Sequence, residues 1–125
     1  KIKNLKIMKE LIMTNKFIGS KFIGKKLLNL IDDQSQWSQE TFGSDDIKGP
    51  IGALKHLKKE ADECLKDPSD IKEYVDCLLL ILDASRRAGF NIIKLLDAAE
   101  DKMVENKLRV WPKIDDMDAF VEHVK

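Results

Sequence analysis

Aromatic residues make up only 6% of this 125-residue chain, and proline occurs three times. No long alternation of Val, Ile or Thr with polar residues is present, so a sheet-based fold is disfavoured and an all-α class is expected. No stretch of 18 apolar residues occurs, and the N-terminal region, broken by lysines every few positions, lacks a signal-peptide core. These absences lead to the expectation of a soluble, cytoplasmic protein with no membrane partner. The two cysteines, Cys64 and Cys77, form neither a CxxC pair nor a Cys/His cluster. Buried free thiols in a reducing compartment are therefore expected. Also missing are a Gly-rich phosphate loop, a Ser/His/Asp set and the context of a cysteine nucleophile.

Charge is plentiful. Charged residues reach 35%, as amphipathic helices with wet outer faces require, and they sum to zero. They are unevenly placed. Residues 1–31 hold eight lysines and one acid, net +7, so the other 94 residues carry −7. One domain is expected at this length, preceded by a basic extension over residues 1–24. Leu5, Met8, Leu11 and Ile12 fall at helical spacing in that extension. The repeated unit in KFIGSKFIGKK brings two glycines, which predict a break. The extension reads as a packing or oligomerisation arm; with no aromatic-interleaved recognition module, little favours nucleic acid.

Helical patterning predicts a core helix over about 25–41, a Gly/Pro/Ser/Asp loop in FGSDDIKGP, and a second helix over about 51–66. KDPSD is a stop-and-restart signal, with Asp67 the expected N-cap and Pro68 in the first turn of a third helix reaching about Ala88. Arg86 and Arg87 suit the C-terminal end of that helix, with Gly89 as its cap. Asn91 opens a fourth helix that runs to about Arg109 before Pro112. A short tail helix over residues 113–125 is expected near Asp115 or Asp116. The sum is a four-helix core with an extra short helix at each end.

Two acidic pairs spaced i, i+3 stand out: Glu60 with Glu63, and Glu73 with Asp76. Such a pair usually marks a solvated helix face. The second pair does not fit that reading. Tyr74–Ala84 is apolar except at Asp76 and Asp83, so its helix should be central. At about 100° per residue, Glu73, Asp76, Leu80 and Asp83 share one narrow stripe. Carboxylates on a buried helix are costly unless paired or bound to metal, so something cationic must face them. On the preceding helix Glu60 lies about 90° from the centre of the apolar face and Glu63 about 150°. Glu63 therefore looks solvated unless a partner subunit covers it.

Lys102, Asn106 and Arg109 share one flank of the fourth helix. They can make surface ion pairs or an anion site with a polar contact beside a metal. Ligands that are all carboxylates select a hard cation, Mg2+ or Mn2+. His56, four residues before Glu60, can hydrogen-bond to it; His123 in the tail carries no signal.

QWSQETFG, HLKKEADE, DPSDIKEYVDCLLLILDASRRAGF and KMVENKLRVWP together resemble the MazG-like all-α nucleoside triphosphate pyrophosphohydrolases. The resemblance is closest to the small dATP/dGTP pyrophosphohydrolase-like subgroup common in phage and prophage genomes. It spans about residues 25–112, a MazG-like helical bundle. It implies that Glu60, Glu63, Glu73 and Asp76 bind Mg2+, with Mn2+ as a substitute. It implies cleavage of a (d)NTP, in this subgroup dATP or dGTP, between the α and β phosphates, giving a monophosphate and pyrophosphate. Glu60 or Glu63 would accept the proton of the attacking water, Lys102 and Arg109 would meet the phosphates, and Asn106 would make a polar contact. Trp37 or Phe42 would stack on the base. Assembly as a homodimer or homotetramer is implied as well. The wider signature is EExxE, and Lys59 stands at its first position. The alternatives are an inactive nucleotide-binding protein and a helical interaction protein whose acids pair with Lys102, Arg109 or the basic arm.

Overall fold

A computed structural model describes residues 2–113 and 115–125, with backbone alone at 2 and 12–18. Four helices occur among the described residues, and no strand: α1 (Ile2–Phe42), α2 (Ile51–Lys66), α3 (Ile71–Arg87) and α4 (Ile92–Leu108). The all-α expectation holds, and the limits of α2 match those read from the sequence.

α2 and α3 form an antiparallel hairpin, while α1 and α4 each pack on α3. α3 is thus the central element, as its nearly uniform apolar sequence requires. Its buried residues are Leu82, Asp83, Ala84 and Arg87. Gln34 and Ser38 of α1 bond to Asp83 and Arg87, and Ala53 of α2 is buried as well.

Three details of the sequence reading are corrected. First, the N-terminal segment is not a separate short helix. α1 runs unbroken for 41 residues, about 60 Å, through Gly19 and Gly24. A glycine inside a helix costs about 1 kcal/mol, and good helix formers on both sides outweigh two of them. Leu5, Met8 and Leu11 are exposed on this arm; the side chain of Ile12 lies outside the described residues. Second, the N-cap of α3 is Asp70, whose side chain accepts from the Lys72 N–H. Asp67 instead closes α2, donating its N–H to the Glu63 carbonyl, and Tyr74 Oη donates to the Pro68 carbonyl at 2.7 Å. Third, the tail forms no helix among its described residues. It folds back, with the Val124 N–H on the Val110 carbonyl at 2.8 Å and the His123 ring edge-on to Trp111. A lone helix of about ten residues is below the length that sustains itself.

Asn91 caps α4 through the Lys94 N–H, and Gly89 takes a φ of +93° at the end of α3, a conformation that favours glycine. Both agree with the sequence reading.

Candidate metal centre and its cavity

The hairpin brings three of the four paired acids together. Glu60 of α2 and Glu73 and Asp76 of α3 each offer an oxygen, and these atoms lie within 4.8 Å of one another. Glu73 and Asp76 are one turn apart on a single face; Glu60 reaches them because α2 runs antiparallel alongside. No cation of the chain pairs with Glu73 or Asp76 among the described residues. Burial raises the Glu73 carboxyl above its ordinary value, and the charges of Asp70, Asp76, Glu60 and Glu63 push the same way. Carboxylate oxygens brought this close against their own repulsion suit a hard divalent cation.

Glu60 is further fixed by His56, whose Nε2 lies 2.8 Å from its Oε1. The Glu60 side chain is 13% exposed, that of His56 54%. Glu63 lies outside the cluster and pairs with Lys66 at 3.1 Å. One helical turn beyond Glu60, the Cys64 and Cys77 thiols sit 3.6 Å apart. Both are free and half-buried. Burial, the hydrogen bond and charge of Cys77, and the charges of Glu73 and Glu60 push the Cys64 thiol up to about 11.

The cluster opens onto a cavity of about 370 Å³ between α1, α2 and α3, within the range of small-molecule sites. Leu30, Trp37, Phe42, Leu79 and Leu80 form its apolar walls, while Glu60 and Asp76 stand at its acidic side. Trp37 and Phe42 meet edge-to-face at 5.4 Å, and the Lys48 ammonium lies 5.0 Å from the Phe42 ring centre.

Asp83 lies at the other end of the same wall. Arg86 Nη2 donates to it at 2.7 Å, Arg87 Nε at 2.9 Å and Gln34 Nε2 at 3.0 Å. Burial by itself would raise this carboxyl; hydrogen bonds from Ser38, Gln34, Arg86 and Arg87 outweigh burial and hold it well below the usual carboxylate range. Arg87, with a side chain wholly shielded from solvent, also donates to Ser38 Oγ and to the carbonyls of Gly43 and Lys48. Arg86 reaches Asp45 and Gln34. Sequence reading placed Arg86 and Arg87 at a helix end as dipole partners. Their i+3 and i+4 spacing from Asp83 was the signal for the tighter role.

The α4 trio is not brought to the acids. Lys102 and Arg109 both pair with Glu105, holding its carboxyl below the ordinary value. Asn106 accepts from Arg109 at 3.3 Å, and none of the three lines the cavity.

The sequence pattern of the dATP/dGTP pyrophosphohydrolase family matches residues 30–125. The chain belongs to this family. It is accordingly a nucleoside triphosphate pyrophosphohydrolase of the MazG-like all-α class. The match includes the tail, which the motifs quoted from the sequence do not reach, and begins inside α1. Among solved structures, a cyanophage S-2L MazG-like pyrophosphohydrolase, bound to dGDP and three catalytic Mn2+ ions per active site, superposes with a TM-score of 0.61. Identity is 22%, over 78% of this chain and 96% of the cyanophage chain, a likeness of fold. Comparison with curated proteins gives no match. No helix among the described residues of this pyrophosphohydrolase is long and apolar enough to cross a membrane.

Proposed function

We propose that the protein hydrolyses dATP and dGTP between the α and β phosphates in a Mg2+-dependent reaction, releasing the monophosphate and pyrophosphate. The observation that carries this is the convergence of Glu60, Glu73 and Asp76 beside an aromatic-walled cavity of about 370 Å³. The three carboxylates are the proposed ligands. Their all-oxygen donor set and uncompensated charge fit Mg2+, or Mn2+ in its place. Bound there, the ion would neutralise triphosphate charge and polarise a phosphoryl oxygen.

The chain's own groups do the rest. His56 fixes Glu60 through Oε1. Glu60 or Glu63 accepts the proton of the water that attacks the α-phosphorus. Trp37 and Phe42 flank the base. Glu63 would serve as the fourth ligand on releasing Lys66. Lys102 and Arg109 would meet the leaving phosphates, and Asn106 would add a polar contact, in a site that a second copy completes, since they do not line the cavity of their own chain. Exposed ion pairs such as Glu63–Lys66 contribute little in water, so each is readily exchanged. A homodimer or homotetramer is part of the reading, supported by exposed Val75, Leu78 and Ile81 on the central helix, an apolar surface that a second copy would cover.

Pyrophosphate release from a panel of dNTPs with Mg2+ or Mn2+ tests the proposal. Product from dATP and dGTP that vanishes with chelator is the expected result. Metal-dependent nucleotide binding in calorimetry without product would indicate a binding protein instead.

A further inference from the structure

The polar side chains lining the cavity are nearly all committed elsewhere. Gln34 is held by Asp83 and Arg86, Ser38 by Arg87, and His56 by Glu60. Glu60 and Asp76 belong to the acidic cluster. Asp33 of α1 is different. It lines the cavity, is exposed, and has no hydrogen bond or ion pair with the described residues. It stands one helical turn before Trp37, on the same face of α1. An aromatic ring and a free carboxylate therefore border one nucleobase-sized space.

An ionised carboxylate only accepts, through two adjacent oxygens. Guanine alone among the common bases presents two adjacent donors on its Watson–Crick edge, N1–H and the 2-amino group. Adenine and cytosine each place a ring-nitrogen acceptor beside their amino donor, and thymine flanks its one N–H with two carbonyls. A carboxylate repels those acceptors and pairs with guanine in a charge-assisted, two-bond contact.

We propose that Asp33 reads the base of the substrate and makes guanine nucleotides the preferred ones. This rests on the pyrophosphohydrolase reading above and sharpens its substrate class. A base beside Trp37 with its donor edge toward Asp33 would leave its phosphates to the acidic cluster across the cavity.

The test compares dGTP, dITP and dATP on the wild-type protein and on Asp33→Asn. The wild type should favour dGTP over dATP in kcat/KM by about tenfold or more, a size typical of one two-bond base contact. dITP, which lacks the 2-amino group, should fall between them. Asn offers one acceptor and one donor, matching adenine, so Asp33→Asn should invert the order. The change should lie mainly in KM, since the contact is made equally in ground and transition states. Melting temperature should not move, because Asp33 is exposed and unpaired. A wild type that favours dATP, or a dGTP/dATP ratio altered less than twofold by Asp33→Asn, overturns the inference. If no dNTP yields pyrophosphate, the cleavage reading fails, and calorimetry with dGMP and dAMP decides the base separately. Tighter dGMP that loosens in Asp33→Asn supports the role of Asp33, and equal affinities sink it.

Discussion

α3 carries three acids on one stripe, Asp76 and Asp83 of them lining the cavity, and its two ends treat them in opposite ways. At the C-terminal end Asp83 receives two guanidinium groups and an amide, so its charge is matched and its carboxyl is held low. At the N-terminal end Glu73 and Asp76 receive none, and the Glu73 carboxyl is held high. The fold can neutralise a buried acid on this helix and does so within two turns of the triad. In the triad only Glu60 has a partner, His56. Glu73 is half-buried and Asp76 exposed, and neither is matched by a cation among the described residues, which leaves room for a charge from outside the chain.

That contrast can be tested in order of expected effect. Asp83→Ala takes from the buried Arg87 its closer acid and leaves only Asp45, at 3.5 Å, which should cost up to about 3–5 kcal/mol of unfolding free energy in urea or thermal melts. The same residue gives the pH dependence. Its folded value is depressed, so its stabilisation is present above the ordinary carboxylate value of about 3.9 and is lost as pH falls through the lower folded value. Wild type should lose more melting temperature than Asp83→Asn as the pH is taken from 5 toward 2.

Glu73→Ala and Asp76→Ala should behave in the reverse sense. Pyrophosphate release should fall by about a hundredfold or more, since metal stabilisation of transition-state charge is worth several kcal/mol. The melting temperature should stay level or rise, because like-charge repulsion is relieved. A stable Asp76→Ala with full activity would refute the role of the triad. Next in size, Mg2+ or Mn2+ at about 100 times its dissociation constant should stabilise the wild type by about 2.7 kcal/mol, seen as a rise in melting temperature that Glu73→Gln abolishes and Asp83→Asn retains. Glu63→Gln should give the smallest change, about 10–100-fold in kcat/KM, because Glu63 stands outside the cluster within one chain.

The bare end of α3 was the more legible of the two. An acidic pair on an otherwise apolar helix conflicts with solvation wherever the helix packs, so Glu73 and Asp76 announce themselves without a structure. Glu60 lay on a flank that can turn inward, and it does. Glu63 rested on family resemblance, and within one chain its partner is Lys66. The matched end was harder to read. Asp83 was placed on the stripe, but its partners include Gln34, 49 positions away, on a helix whose polar residues look like an ordinary outer face. Asp33 gave no signal for the same reason: only the packing of α1 on α3 separates a cavity-lining carboxylate from a solvated one. Helix limits at α2 and α4 followed from capping and proline chemistry. The break expected at Gly19 and Gly24 gave glycine more weight than about 1 kcal/mol per residue can carry against 41 residues of helix. The tail helix failed because so short a segment does not sustain a helix by itself, and the tail is held instead by the Val124–Val110 hydrogen bond and the Trp111–His123 contact.

The shielded guanidinium of Arg87 has a consequence for motion. It ties the end of α1, the Gly43–Pro50 connection and the last turn of α3 with one side chain. That connection has no regular structure, yet it cannot swing away without leaving buried N–H groups of Arg87 unpaired, although Asp83 and Ser38 would still hold the rest of the guanidinium. Its amides are thus coupled to the opening of the α1–α3 junction and should resist hydrogen exchange about as well as the helices that flank it. A connection that looks like a hinge works as a clamp between α1 and α3, beside the cavity.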